Sequence, residues 1–131
     1  IFNFQNASYF FIKSSLQKNI RSRCPVAGVL DLLGDRWTLL VIRDLVLGKQ
    51  RFDEFLASPE GIATNILSQR LRWLTAHQII ESTPDSNDGR KKHYSLTEKG
   101  ESLRPVLRSI AQWGIDHIEG TAIHPSFKKK S

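Results

Sequence analysis

Apolar residues recur every three or four positions along most of the chain, and every second position in one short stretch. From Pro25, the set Val26, Val29, Leu30 and Leu33 falls on one helical face. Proline suits a first helical turn, because its missing N–H has no intrahelical acceptor there. Gly34 ends this helix. Asp35 is the expected N-cap of the next one, with Trp37, Leu40, Val41, Leu45 and Val46 as its buried face and Gly48 as its stop. Arg51 to Ala57 reads as a short third helix with Phe52, Phe55 and Leu56 turned inward, and Pro59-Glu60-Gly61 is a turn. A fourth helix runs from about Thr64 to about Ala76. Leu67, Leu71 and Leu74 form its apolar stripe. At roughly 100° per residue, Asn65, Ser68, Gln69 and Arg72 lie on the opposite side.

The period then shortens. Ile79 to Thr83 reads as a strand, Pro84 to Gly89 holds dense turn chemistry, and Lys92 to Thr97 is the return strand, so a β-hairpin follows the fourth helix directly. A long helix is expected from about Glu98 to about Ile118, with Pro105 kinking it or marking a late start. Before these elements, residues 1–22 carry Lys13, Lys18 and Arg21 and no acid, and Phe10, Phe11, Ile12 and Leu16 suit a helical face. That stretch does not read as a signal peptide, because its cations follow its apolar residues. No Met occurs, even at position 1, so the natural chain is expected to start earlier. The expected division is an N-terminal extension (1–22) that joins a dimer interface, one domain (23–119), and a tail (120–131) ending in Lys128, Lys129 and Lys130. The fold class is mainly α with a small antiparallel β-hairpin.

Composition narrows the function. The chain has 131 residues, of which 40% are hydrophobic and 24% charged, enough for one packed domain and too periodic for disorder. A single cysteine rules out an internal disulfide, and four scattered histidines with it do not supply a zinc cage. Apolar runs are too short to span a bilayer. No metal, cofactor or membrane is expected. Catalysis has no support either: Asp53 and Glu54 are adjacent on a helix and point apart, and no phosphate loop or nucleophile motif occurs. The net charge of +6 suits a polyanion such as nucleic acid, although it also serves solubility alone.

The order of helix, helix, short helix, turn, polar-faced helix and hairpin is that of a helix-turn-helix with a wing. In that architecture the fourth helix enters a major groove and the first helix of the pair braces the backbone side. Thr64, Asn65, Ser68, Gln69 and Arg72 are then the candidate base-reading residues; side-chain amides suit adenine and a guanidinium suits guanine. Lys49, Arg51, Arg70 and the hairpin-tip cations Arg90, Lys91 and Lys92 are candidate phosphate contacts, Arg70 serving equally as a helix anchor. A polar outer face also suits plain solvation, and a basic tip also protects a strand edge. A winged domain that binds an acidic protein partner, without specific DNA binding, is the alternative reading.

Several motifs then resemble one family. Cys24-Pro25, the run Leu30 to Leu40 (LDLLGDRWTLL), Arg51-Phe52-Asp53-Glu54-Phe55, Gly61-Ile62, Leu67-Ser68-Gln69-Arg70-Leu71, Tyr94 to Gly100 (YSLTEKG) and Trp113-Gly114 resemble the HxlR-type winged helix-turn-helix regulators. The resemblance covers about Cys24 to Ile118. It implies a bacterial or archaeal, cytoplasmic transcription factor, with repression the expected mode. Such a factor binds pseudo-palindromic operator DNA as a homodimer, and the terminal helices form the dimer interface. Two features depart from the family pattern: the wing Asp88 to Tyr94 is unusually basic and lacks the expected proline, and residues before Cys24 carry no family motif. Independently, Leu103, Leu107, Ile110, Trp113, Ile115 and Ile118 offer more apolar surface than one small core needs, which suits a second subunit. Recognition helices of such a dimer would stand on the order of 34 Å apart.

Cys24 is a candidate redox-sensing residue. A helix N-terminus and the neighbouring Arg21 and Arg23 favour thiolate over thiol. Family members that sense aldehydes, quinones or oxidants carry a cysteine at the matching position, so a small-molecule or electrophile signal is implied. The same residue also suits a small, inert, buried cap.

Overall fold

The structure, a computed structural model, describes residues 21–123. The predicted helix before Cys24, His124 and the terminal lysines lie outside them. The chain divides between Asp35 and Arg36 into two compact units.

In the first unit, α1 spans Pro25–Leu33, with Cys24 as an extended N-cap and Pro25 in the first turn. The Gly34 N–H closes the helix on the Leu30 carbonyl at 2.7 Å. A Cβ at position 34 would sit 2.3 Å from that oxygen, so only glycine fits. Leu33 is buried, whereas Val26, Val29 and Leu30 are 66%, 50% and 54% exposed. Among the described residues, most of the apolar stripe of α1 is therefore exposed.

The second unit begins with α2, Thr38–Val46. Its N-cap is Trp37 and not Asp35; residues 35–37 form a bend, and the first helical carbonyl is that of Trp37, which accepts from Val41 N–H at 3.1 Å. Val41 and Leu45 are buried as expected, but Trp37, Leu40 and Val46 are only half-buried, and Ile42, fully buried, joins the core in their place. Helix α3 covers Phe52–Leu56, where the Glu54 carboxylate accepts the Arg51 N–H at 3.0 Å and closes the first turn. Phe55 is its one fully buried residue. Helix α4 spans Thr64–Ala76, the range expected, and buries Leu67, Leu71 and Leu74 to 3% exposure or less.

Strands β1 (Ile80–Pro84) and β2 (Lys92–Leu96) pair antiparallel, with Ile80 opposite Leu96 and Thr83 opposite His93. The chain enters β1 from α4 through Gln78, whose φ of 59° is left-handed. The expected long last helix is two helices. Glu98–Glu101 forms α5, capped by the Thr97 hydroxyl on Gly100 N–H at 3.1 Å, and Arg104–His117 forms α6. The break falls where Pro105 has no N–H to give the preceding turn, which leaves proline in the first turn of α6. Gly100 allows a close approach: a Cβ there would stand 2.1 Å from the Ile79 carbonyl oxygen at the start of the hairpin. Of the apolar residues on α6, Leu107 is buried, whereas Val106, Ile110 and Trp113 are 41%, 49% and 62% exposed.

Candidate nucleic-acid interface

Three buried leucines fix the rotation of α4, and this decides which of its side chains face out. Thr64, Asn65, Gln69 and Arg72 are exposed, and Ser68 is half-buried. An amide, a second amide and a guanidinium thus stand on one open helical face, with donors and acceptors suited to base edges. Behind α4 lies the tight turn from α3, which uses a left-handed Gly61 (φ 71°) and a bond from Gly61 N–H to the Ser58 carbonyl.

A partly buried polar cluster braces this turn. The Arg43 guanidinium grips the Glu60 carboxylate with two bonds of 2.7 and 2.8 Å and also reaches Asp44. Asp44, 4% exposed, accepts the Ser58 hydroxyl at 2.5 Å, and Ser58 in turn accepts the Lys49 ammonium at 2.6 Å. The Arg43 hydrogen bond holds the Glu60 carboxyl below its ordinary range. Lys49 is therefore drawn inward, half-buried on Ser58. Arg70 is likewise half-buried: one guanidinium nitrogen lies 3.5 Å from the Thr38 hydroxyl, and its plane stands 5.6 Å from the Trp73 ring. Trp73 also packs against the His77 ring, tilted at 54° with the centroids 4.3 Å apart. This is the geometry of a helix anchor, one of the two roles the sequence left open for Arg70.

The hairpin supplies the second half of the surface. Arg90, Lys91 and Lys92 are all exposed, the Arg90 side chain to 93%, and the Arg90 guanidinium leans on Asp88 at 3.3 Å. Between α4 and the hairpin runs an open groove of about 460 Å³ lined by Phe52, Leu71, Arg72, Thr75, Lys92 and Tyr94. Its floor is apolar and aromatic; Arg72 and Lys92 supply the cations among these lining residues. The Phe55 and Tyr94 rings meet edge to face under it at 6.2 Å.

Sequence reasoning missed the residues that hold these parts together. Asp85 is 6% exposed directly after β1, at the start of the loop that joins the two strands. It accepts the Asn87 N–H at 2.8 Å, lies 2.9 Å from His93 Nε2 and 3.3 Å from the Arg51 guanidinium. The Pro84-Asp85 turn pair was visible as turn chemistry, but nothing local pointed to partners 34 positions back. Arg51 keeps about half its side chain open to solvent. Cys24 is exposed and free at the start of α1, and Arg21 beside it pairs with Asp31 at 2.6 Å. Among the described residues, no helix is long and apolar enough to cross a membrane.

A two-helix turn with an exposed polar second helix, followed at once by a basic hairpin, defines a winged helix-turn-helix protein. The chain belongs to the HxlR-like helix-turn-helix family, whose pattern matches residues 32–122. It is 36% identical over 96 residues to an HTH-type transcriptional regulator of Synechocystis, covering 73% of this chain and 71% of that one. It is 38% identical over 93 residues to another of Mycobacterium tuberculosis, covering 71% of this chain; it spans 58% of that relative's length. Among solved structures it resembles the redox regulator HypR in its oxidised form, with TM-score 0.66 and 32% identity over 73% of this chain and 99% of that one. It also resembles the reduced form of the transcriptional regulator YodB of Bacillus subtilis, with TM-score 0.61 and 32% identity over 77% of this chain and all of that one. YodB has also been solved quinone-bound and diamide-treated. The family is one of transcriptional regulators, not enzymes.

Proposed function

We propose that this chain represses transcription in the cytoplasm by binding pseudo-palindromic duplex DNA as a homodimer. One observation carries the reading: the open polar face of α4 shares a groove with a wing whose three cations are all exposed. In this reading Thr64, Asn65, Ser68, Gln69 and Arg72 meet base edges in the major groove. Arg90, Lys91 and Lys92 meet phosphates, and Arg51 meets one with its open edge. Lys49 and Arg70 reach phosphates only by giving up Ser58 or the Trp73 packing, so their role is chiefly to set helix position.

The exposed apolar residues of α1 and α6 support the dimer, because water-facing valine, leucine and tryptophan at this density favour burial against a second copy. Residues 23–119 then act as the DNA-binding domain, the extension 1–22 adds to the dimer interface, and 120–131 is a tail. Cys24 is the signal input. An exposed thiol at a helix start, in a chain similar to HypR and YodB, supports oxidation or alkylation there as the event that releases DNA.

Selection of bound duplexes from random DNA tests this reading. The expected result is an enriched inverted repeat with half-site centres about one helical turn apart. Recovery of no motif would remove specific DNA binding and favour an acidic protein partner. Recovery of a single half-site would remove the dimer.

A further inference from the structure

We propose that Asp85 is a positioning residue for DNA binding, a buried carboxylate that ties the wing to the start of α3 and so sets where the wing cations stand beside α4. The inference rests on the DNA-binding reading above. A two-stranded hairpin is marginally stable by itself, so the pitch of this wing depends on what anchors it. The two Asp85 oxygens divide that task. Oδ1 accepts the Asn87 N–H and closes the turn, while Oδ2 faces His93 Nε2 on β2 and the guanidinium of Arg51, the N-cap of α3. The Asp85 N–H itself donates to the Lys91 carbonyl at 2.9 Å. One residue thus joins both strands, the turn and the helix-turn-helix.

A carboxylate this buried persists as a charge only when hydrogen-bonded and paired. Consistently, its carboxyl is held down to about 2, first by the Asn87 N–H and then by His93. A backbone strut runs alongside, with Tyr94 N–H donating to the Gln50 carbonyl at 2.8 Å. Gln50 directly precedes Arg51, so side-chain and main-chain links reach the same point on the helix-turn-helix. This link orients the Arg51 guanidinium, and about half of the Arg51 side chain stays open to solvent. None of the wing cations touches Asp85 through its side chain, so the carboxylate acts on them by holding the ribbon that carries them.

The test uses the full chain and the variants Asp85→Asn, Arg51→Gln and His93→Gln, the last two at more exposed positions so that a folded variant is available. In the free protein, amide hydrogen exchange is followed at Asn87, Lys91 and Tyr94, with α2 and α4 as internal references. Asp85→Asn is expected to speed exchange at the wing about tenfold and leave α4 unchanged. Adding Arg51→Gln to Asp85→Asn should give less than the product of the single effects, because both break one link. On a duplex recovered from random DNA, hydroxyl-radical footprints of Asp85→Asn should keep the α4 protection and lose the flanking protection.

Unchanged wing exchange, or exchange raised equally throughout the chain, would overturn the proposal, as would retained flanking protection. If the native chain protects no duplex, the DNA-binding reading falls and takes the positioning role with it. The exchange data then still decide whether the clamp itself exists.

Discussion

The wing gives the sharpest quantitative consequence. Each phosphate neutralised on B-DNA contributes a slope of about −0.9 to log K against log salt. Arg90, Lys91 and Lys92 are exposed, so both protomers together present six wing cations. If all six meet phosphates, the triple replacement with alanine flattens the slope by about 5, and affinity becomes about a thousandfold less sensitive to a rise from about 50 to about 200 mM salt. The structure also supplies a correction. The Arg90 guanidinium already leans on Asp88 at 3.3 Å. If that pair persists on DNA, four cations count and the change falls to about 3.6. Arg90→Ala alone separates the two cases, with a change of about 1.8 in the first and near zero in the second. The assay is fluorescence anisotropy with a selected duplex, titrated across salt concentrations. A triple variant whose slope stays within about one unit of the native value would refute the idea that the wing lies on the phosphate backbone.

Three further outcomes are expected. Gly100→Ala forces a Cβ to within 2.1 Å of the Ile79 carbonyl, so the hairpin or α5 must move; a loss of about 2–3 kcal/mol is expected, read as a fall of roughly 10 °C or more in Tm. Asp85 has its carboxyl lowered from 3.8 to about 2 by the folded state, so its stabilisation is full above about pH 4 and is lost as pH falls through about 2; acid unfolding followed by circular dichroism should be shallower over that window in Asp85→Asn. Cys24→Ser should bind the same duplex as the native chain but keep hold of it after diamide treatment, and a variant that still lets go would exclude Cys24 as the sensor.

Much of the fold could be read from local signals. Helix α4 begins and ends where its leucine spacing says, because Leu67, Leu71 and Leu74 are all needed by one core and no proline or glycine interrupts them. The hairpin was equally clear from Pro84 to Gly89, where turn chemistry is dense. The boundaries that failed depended on competition between neighbours. Asp35 has the chemistry of a cap, but the N-cap position falls on Trp37 and the helix starts at Thr38, whose side chain is fully buried. Pro105, expected to kink the last helix or mark a late start, stands in the first turn of α6, and a separate short helix, α5, precedes it.

The candidate interface was legible in its exposed half and hidden in its buried half. Periodicity identifies which face of α4 is outside, because that follows from the leucines alone. It says nothing about which cations are already engaged. Lys49, Arg51 and Arg70 look alike in sequence, three basic residues near a helix-turn-helix. Folding gives each a different partner: Ser58 for Lys49, Asp85 for Arg51, and Trp73 with Thr38 for Arg70. Those partners lie between 3 and 34 positions away, beyond any single periodic pattern except for the neighbour on the same helix. The same distance effect concealed Asp44, Ser58 and Asp85, acidic and hydroxyl residues that read as surface in composition and are buried because they receive these cations or brace the turn. A basic patch read from sequence therefore overcounts its free charge. Here Lys49 and Arg70, two of the seven, are half-buried on internal partners, while Arg51, Arg72 and the three wing residues are exposed, Arg51 leaning on Asp85 and Arg90 on Asp88. The salt slope measures this quantity directly, and it should follow the exposed cations and not the total.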